Sequence, residues 1–205
     1  RIPRYIEMVE QGKINPVATP EVTSSDGAVS ILEADNAPGA SSMLAAMDAA
    51  VDIAGRLGLG WCSARNITHE GAVAYYTMQA ARRGYVGIVM TASGPLMAYH
   101  GARVSGVSTN PISIAVPAEG NPLLLDMSTS NVALGKIMAA KDAGRLVPEG
   151  WGIGSDGAPA TDPHKVATLT PLGGPKGSGL SLMIEILASV LVSNPVISEA
   201  LSGRS

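Results

Sequence analysis

The stretch Arg65-Asn66-Ile67-Thr68-His69-Glu70-Gly71, followed by Ala72-Val73-Ala74-Tyr75-Tyr76, decides how the chain is read. It lies between an apolar, strand-like run at 59–64 and a segment carrying Val73, Tyr76 and Ala80 at helical spacing, which Gly84 ends. Strand, loop and helix in that order make a β-loop-α unit. The carboxyl ends of strands are where α/β proteins place their ligand-binding groups. Thr68 as an N-cap would put His69 in the first helical turn, where the positive end of the dipole disfavours imidazolium. A neutral imidazole there could accept a proton; a histidine that caps or packs locally is the other reading.

Outward from that unit, the pattern repeats the same alternation. The first ten residues carry Ile2, Ile6 and Val9 at helical spacing. A turn at Ser24-Ser25-Asp26-Gly27 precedes a strand-like run at 28–34, and an Ala-rich helix follows until Gly58 and Gly60 stop it. Tyr85-Val86-Gly87-Ile88-Val89-Met90 is a further strand. The runs at 112–116 and 123–125, parted by Pro117-Ala118-Glu119-Gly120-Asn121-Pro122, suit a hairpin and bring some antiparallel pairing. Val132, Ile137 and Met138 mark an amphipathic helix, and a glycine-rich loop at 171–179 opens a mostly apolar helix at 180–192.

With 205 residues, a net charge of −3 and scattered lysines and arginines, the chain suits one or two domains and lacks the basic footprint of a nucleic-acid or anionic-membrane partner. The lone Cys62 excludes an intrachain disulfide and a cysteine-rich zinc site, which points to a reducing, cytoplasmic setting, and inside an apolar run it reads as a core residue. No metal site is expected, because His100 and His164 have no partner at ligand spacing. No membrane span is expected either, since Ser181, Glu185 and Ser189 interrupt the apolar run at 180–192. The chain opens without methionine and ends on Ser202-Gly203-Arg204-Ser205, so we expect it to belong to a longer protein.

Three further places could hold an anionic ligand. Asp126-Met127-Ser128-Thr129-Ser130 joins an apolar run to a helix, where amides and hydroxyls can take phosphate or simply cap the helix. Gly173-Gly174-Pro175-Lys176-Gly177-Ser178-Gly179 adds a cation to glycines that admit a diphosphate, or that merely cap the next helix; it lacks Walker spacing. Arg1, Arg4 and Tyr5 could bind a carboxylate or be a solvated helix end. No G-x-G-x-x-G opens a helix after a strand, so an ordinary Rossmann fold is not expected.

Seven motifs in order, Arg1-x-Pro3-Arg4-Tyr5, Asn66-x-x-His69-x-Gly71 with Tyr75-Tyr76, Ser108-Thr109-Asn110-Pro111, Asp126-Met127-Ser128-Thr129, Pro148-x-Gly150-Trp151, Thr161-Asp162-Pro163 and Gly174-Pro175-Lys176-Gly177, resemble the malate/L-lactate dehydrogenase family of the non-Rossmann type. The resemblance, nearest to its ureidoglycolate branch, implies a three-layer α/β fold with a mixed sheet, usually homodimeric. It implies a nicotinamide-dependent oxidoreductase of small 2-hydroxy acids, with NAD, or NADP, as cofactor. It makes His69 the proton acceptor, Arg1 and Tyr5 substrate-binding residues, and Ser93, Asp126, Met127, Ser128, Lys176 and Gly177 cofactor contacts. A substrate and dimerisation part at 1–60 and 171–205 around a nicotinamide-binding part at 61–170 is the expected division. The rival readings are a cyclic imino-acid reductase and a non-catalytic nucleotide- or anion-binding module on the same fold.

Overall fold

A computed structural model describes residues 2–24 and 27–193. Its elements are α1 (Ile2–Glu10), β1 (Glu21–Ser24), β2 (Val29–Glu33), α2 (Gly39–Leu57), β3 (Trp61–Arg65), α3 (Ala74–Arg82), β4 (Gly87–Met90) and β5 (Met97–Ala98). They continue with β6 (Ser105–Val107), β7 (Ile112–Val116), β8 (Leu123–Met127), α4 (Leu134–Asp142), β9 (Gly152–Ile153), β10 (Thr168–Leu169) and α5 (Pro175–Ala188), which runs on into a short 3-10 turn, Val190–Val192. The chain divides into two compact units, one holding the described residues of Arg1–Val89 and Ser113–Leu125, the other Met90–Ile112 and Asp126–Leu191.

The first unit is built on a β-α-β crossover. β2 pairs antiparallel with β1 and parallel with β3, so the Ala-rich α2 that joins β2 to β3 has to cross over the sheet. Burial alternates along β2, with Ser30 and Leu32 inward and Val29 and Ile31 outward. Leu32, Ala34 and Ala46 form the core between sheet and helix, with Cys62 and Ala64 packed against it. Burial pushes the Cys62 thiol upward, as befits a core residue. The small residues of α2 let its other side close on α3, around Met47, Val51, Val73, Tyr76, Ala80 and Val89. Burying a side chain of that size stabilises the fold by about 1.5–3 kcal/mol. Gly58 ends α2 at φ 83°, donating its N–H to Ala54 O.

β4, β7 and β8 lie side by side in a third layer, with β7 and β8 joined by the expected turn. The Ser113 hydroxyl on β7 meets that of Thr77 on α3 at 2.8 Å, a buried polar link between these layers. Sheet, helices and sheet match the three-layer α/β expectation, and the sheets are mixed.

The second unit carries a mixed four-stranded sheet, order β6-β5-β10-β9, in which β5 runs antiparallel to β6 and parallel to β10. Met97, Val107, Val132, Ile137, Ala140, Val147 and Leu169 form its core. The last helix departs from the sequence reading twice. It starts at Pro175 and not at 180, because proline suits the first helical position, so Lys176 to Gly179 are helical instead of loop. Its buried face is also more polar than the run suggests, with Ile184 beside buried polar residues. Ser181 and Glu185 are fully buried while Leu180, Met183 and Ile186 are exposed. Pro175–Val192 is long and apolar enough to cross a membrane by length and composition, and the three polar residues that interrupt it, Ser181, Glu185 and Ser189, are buried together with Ile184.

Candidate active site

In the first unit the His69 loop is tied down from several directions. Parallel pairing sets Arg65 beside Glu33, whose carboxylate accepts from Arg65 Nε and from Asn66 Nδ2, both at 2.8 Å. The Asn66 bond, helped by the Asp35 N–H and Arg65 and opposed by partial burial, holds the Glu33 carboxyl below its usual range. Asn66 itself has φ 52°, which turns the chain sharply out of β3. Tyr76 then donates its hydroxyl to Glu70 O.

Thr68 does not cap α3, which begins only at Ala74. Its hydroxyl instead accepts from Gly39 N–H at 3.0 Å and donates to Ala37 O at 2.9 Å, capping α2. His69 is therefore outside any helical turn, and the dipole argument for a neutral imidazole does not apply. Gly39 is what allows this contact, since a Cβ there would lie 2.3 Å from Thr68 O and 2.5 Å from His69 O.

The hydrogen-bonding role of His69 Nδ1 follows from its neighbours. His69 Nδ1 accepts the Gly71 N–H at 3.2 Å, and an amide can only donate, so Nδ1 presents a lone pair. Tyr5 Oη lies 2.7 Å from the same nitrogen and must be the donor in that pair. Tyr5 comes from α1 and His69 from the loop after β3, so 64 residues separate the partners of this contact. Arg1, the expected carboxylate ligand, lies outside the described residues.

The expected cofactor residues all belong to the second unit. Ser93 Oγ pairs with Ser108 Oγ at 2.7 Å. Asp126 is exposed at the last position but one of β8, and beyond Met127, which ends the strand, the Ser128 hydroxyl donates to Ser130 O at 3.3 Å. This segment meets the start of α5, where Leu172 N–H donates to Thr129 O at 2.9 Å and Gly177 N–H to Leu172 O at 2.8 Å. A Cβ on Gly177 would fall 2.2 Å from Leu172 O and 2.8 Å from Thr129 O, so the glycine is required by backbone packing. The first amides of α5 are taken up by the Leu172, Gly173 and Gly174 carbonyls, and the Lys176 side chain is exposed.

Sequence reasoning passed over two features. His100 is exposed yet lies beside the glycine-rich start of α5: a Cβ on Gly174 would be 3.2 Å from its Nδ1, and its backbone N–H donates to Ser178 Oγ. Behind Ser93 runs a buried polar set, Ser108, Asn110, Ser181 and Glu185, whose one signal was a carboxylate amid apolar helix residues. Among the described residues no cluster of three His, Cys, Asp or Glu side chains could hold a metal ion.

The family model for malate/L-lactate dehydrogenase matches residues 1–204, and the chain belongs to that family. It is 35% identical over 196 residues to ureidoglycolate dehydrogenase (NAD(+)) of Escherichia coli, a match covering 95% of this chain and 56% of that protein. Its structure is similar to sulfolactate dehydrogenase from Methanocaldococcus jannaschii (TM-score 0.85, 36% identity, covering 93% of this chain and 56% of that one). It is also similar to delta1-piperideine-2-carboxylate reductase from Pseudomonas syringae pvar. tomato (TM-score 0.90, 33% identity, 95% and 60%). The chain thus spans little more than half the length of the relatives it matches.

Proposed function

We propose that the protein to which this chain belongs is an NAD-dependent dehydrogenase that reversibly oxidises a small 2-hydroxy acid, with ureidoglycolate as first candidate and malate or lactate next. The observation that carries the reading is the Tyr5 hydroxyl donating to an unprotonated His69 Nδ1. In oxidation the substrate hydroxyl gives its proton to Tyr5 Oη as Tyr5 passes its own to His69 Nδ1, so the histidine is the final acceptor. In reduction the same two transfers run backwards. Arg1 holds the substrate carboxylate, a task its guanidinium fork suits.

The residues of the second unit fit the cofactor's polar groups. Ser93 offers a hydroxyl that can donate or accept, Asp126 an exposed carboxylate for ribose hydroxyls, Ser128 a hydroxyl and Lys176 a cation for the diphosphate. Met127 carries the chain between two of these groups, and Gly177 lets the α5 start sit against Thr129. The nicotinamide, when bound, takes up or returns the hydride. We retain a homodimeric assembly and a cytoplasmic location as parts of this proposal.

The test is the full-length protein assayed for NADH formation against a panel of 2-hydroxy acids, with cyclic imino acids in the reductive direction. His69→Ala abolishes turnover and retains NADH binding if the assignment holds. Unchanged turnover removes the His69 assignment; NADH binding with no turnover of any substrate by the wild type leaves the binding-module reading. Tyr5→Phe lowers kcat by about 10²–10⁴-fold at similar KM if the proton passes through Tyr5. A higher KM at unchanged kcat would make Tyr5 an orienting group only.

A further inference from the structure

Glu185 is fully buried in the middle of α5, and none of the three ion pairs among the described residues includes it. Its Oε2 accepts from Asn110 Nδ2 at 2.7 Å. Glu185 Oε1 and Asn110 Oδ1, the other oxygens of the two planar groups, are both buried without a hydrogen-bond partner. Read with an ionised carboxylate, both are acceptors and neither can serve the other. A single proton on Oε1 would turn it into a donor that Asn110 Oδ1 could accept, because a carboxylic acid and a primary amide present complementary donor and acceptor edges. Desolvation acts in the same direction, raising the Glu185 carboxyl against the smaller, lowering effect of the Asn110 bond.

The pair is also the end of a continuous set of contacts. Asn110 Nδ2 donates to Ser181 O at 2.9 Å, Ser181 Oγ donates to Ser108 O at 3.1 Å, and Ser108 Oγ meets Ser93 Oγ at 2.7 Å. These residues stitch the 108–110 segment to α5, and all but Ser93 are buried. We propose that Glu185 is kept as a neutral carboxylic acid whose Oε1–H donates to Asn110 Oδ1, and that this acid–amide pair is a positioning element that presents the Ser93–Ser108 hydroxyls to the nicotinamide cofactor. The second half rests on the cofactor reading of Ser93 given above. Tyr99 is the titratable group coupled to this site, its hydroxyl raised by burial and then by Glu185, while Asn110, Ser108, Ser181 and Ser189 carry no charge.

The full-length protein tests the two halves separately. Infrared difference spectra of wild type against Glu185→Gln at neutral pH contain the carbonyl stretch of a protonated carboxyl, assigned to Glu185 by its loss in the variant. If that band is absent from the wild type, the neutral pair is overturned. NADH titrations from neutral to alkaline pH read the positioning role. Wild-type affinity falls about fivefold, one buried hydrogen bond's worth, as the acid ionises. Glu185→Gln, which keeps a neutral amide, stays within about twofold of the neutral-pH wild type and shows no such fall. A fall that persists in Glu185→Gln but disappears in Tyr99→Phe, or no fall in wild type, overturns positioning by Glu185. Ser93→Ala weakens NADH binding about fivefold; if it does not, the cofactor reading of Ser93 fails while the infrared band still stands or falls by itself.

Discussion

Replacing Gly39 by alanine is a one-methyl test of how the His69 loop is held. On sequence grounds the change should help, since Gly39 opens α2 and alanine in a helix is worth about 1 kcal/mol over glycine. The structure reverses the sign. The new Cβ would sit 2.3 Å from Thr68 O, 2.5 Å from His69 O and 2.6 Å from His69 C, all backbone atoms, whereas ordinary contact starts at 3.4 Å. The loop must retreat by roughly 1 Å, which also opens the Gly39 N–H to Thr68 hydroxyl bond and stretches the 2.7 Å contact between Tyr5 and His69 beyond hydrogen-bond range. Overpacking costs about 1–3 kcal/mol and the capping bond about 1 kcal/mol more. A displacement of that size at a reacting group costs on the order of 10²-fold in rate. The assay is kcat/KM of the full-length protein beside its thermal midpoint and its NADH dissociation constant. We expect kcat/KM down about 100-fold, a lowered midpoint and an unaltered NADH constant, because the cofactor residues belong to the other unit. A more stable variant with wild-type kcat/KM would refute the reasoning.

Gly177→Ala is expected to destabilise by about 1–3 kcal/mol, read as a lower thermal midpoint, since its Cβ meets only backbone. Lys176→Ala, one position earlier and exposed, should leave the midpoint unchanged and weaken NADH binding about tenfold in direct titration. Glu33 has a folded pKa below its unfolded value near 4.5, so its stabilising effect is fully present above that value and lost as the pH falls through the folded one. Glu33→Gln should therefore flatten the acid limb of stability against pH, followed by thermal melts at stepped pH.

Local signals in the chain marked most elements. The alanine run of α2, the alternation along β2 and the glycines at 58 and 84 act within a few residues, where side-chain period and backbone freedom decide structure. Partner choice was less legible. Thr68 looks like a cap for the helix that follows it, yet its hydroxyl serves a helix that begins 29 residues earlier, because parallel pairing of β2 and β3 brings both turns to the same edge. The contact between Tyr5 and His69 spans 64 positions and has no local trace. The seven ordered motifs carried the family where no single residue could. The polar share of the α5 buried face was hidden because hydropathy reports composition, while the Asn110 amide and the Ser108 carbonyl meet Glu185 and Ser181 on the inward side.

The adjacent pair Lys176 and Gly177 separates two duties that a glycine-rich run ordinarily blends. The glycine belongs to the scaffold and tolerates no side chain, while the lysine projects from that scaffold and carries none of its weight. The side chain at position 176 can therefore be exchanged without renegotiating the fold, so an effect of such an exchange on ligand binding reads charge and not scaffold.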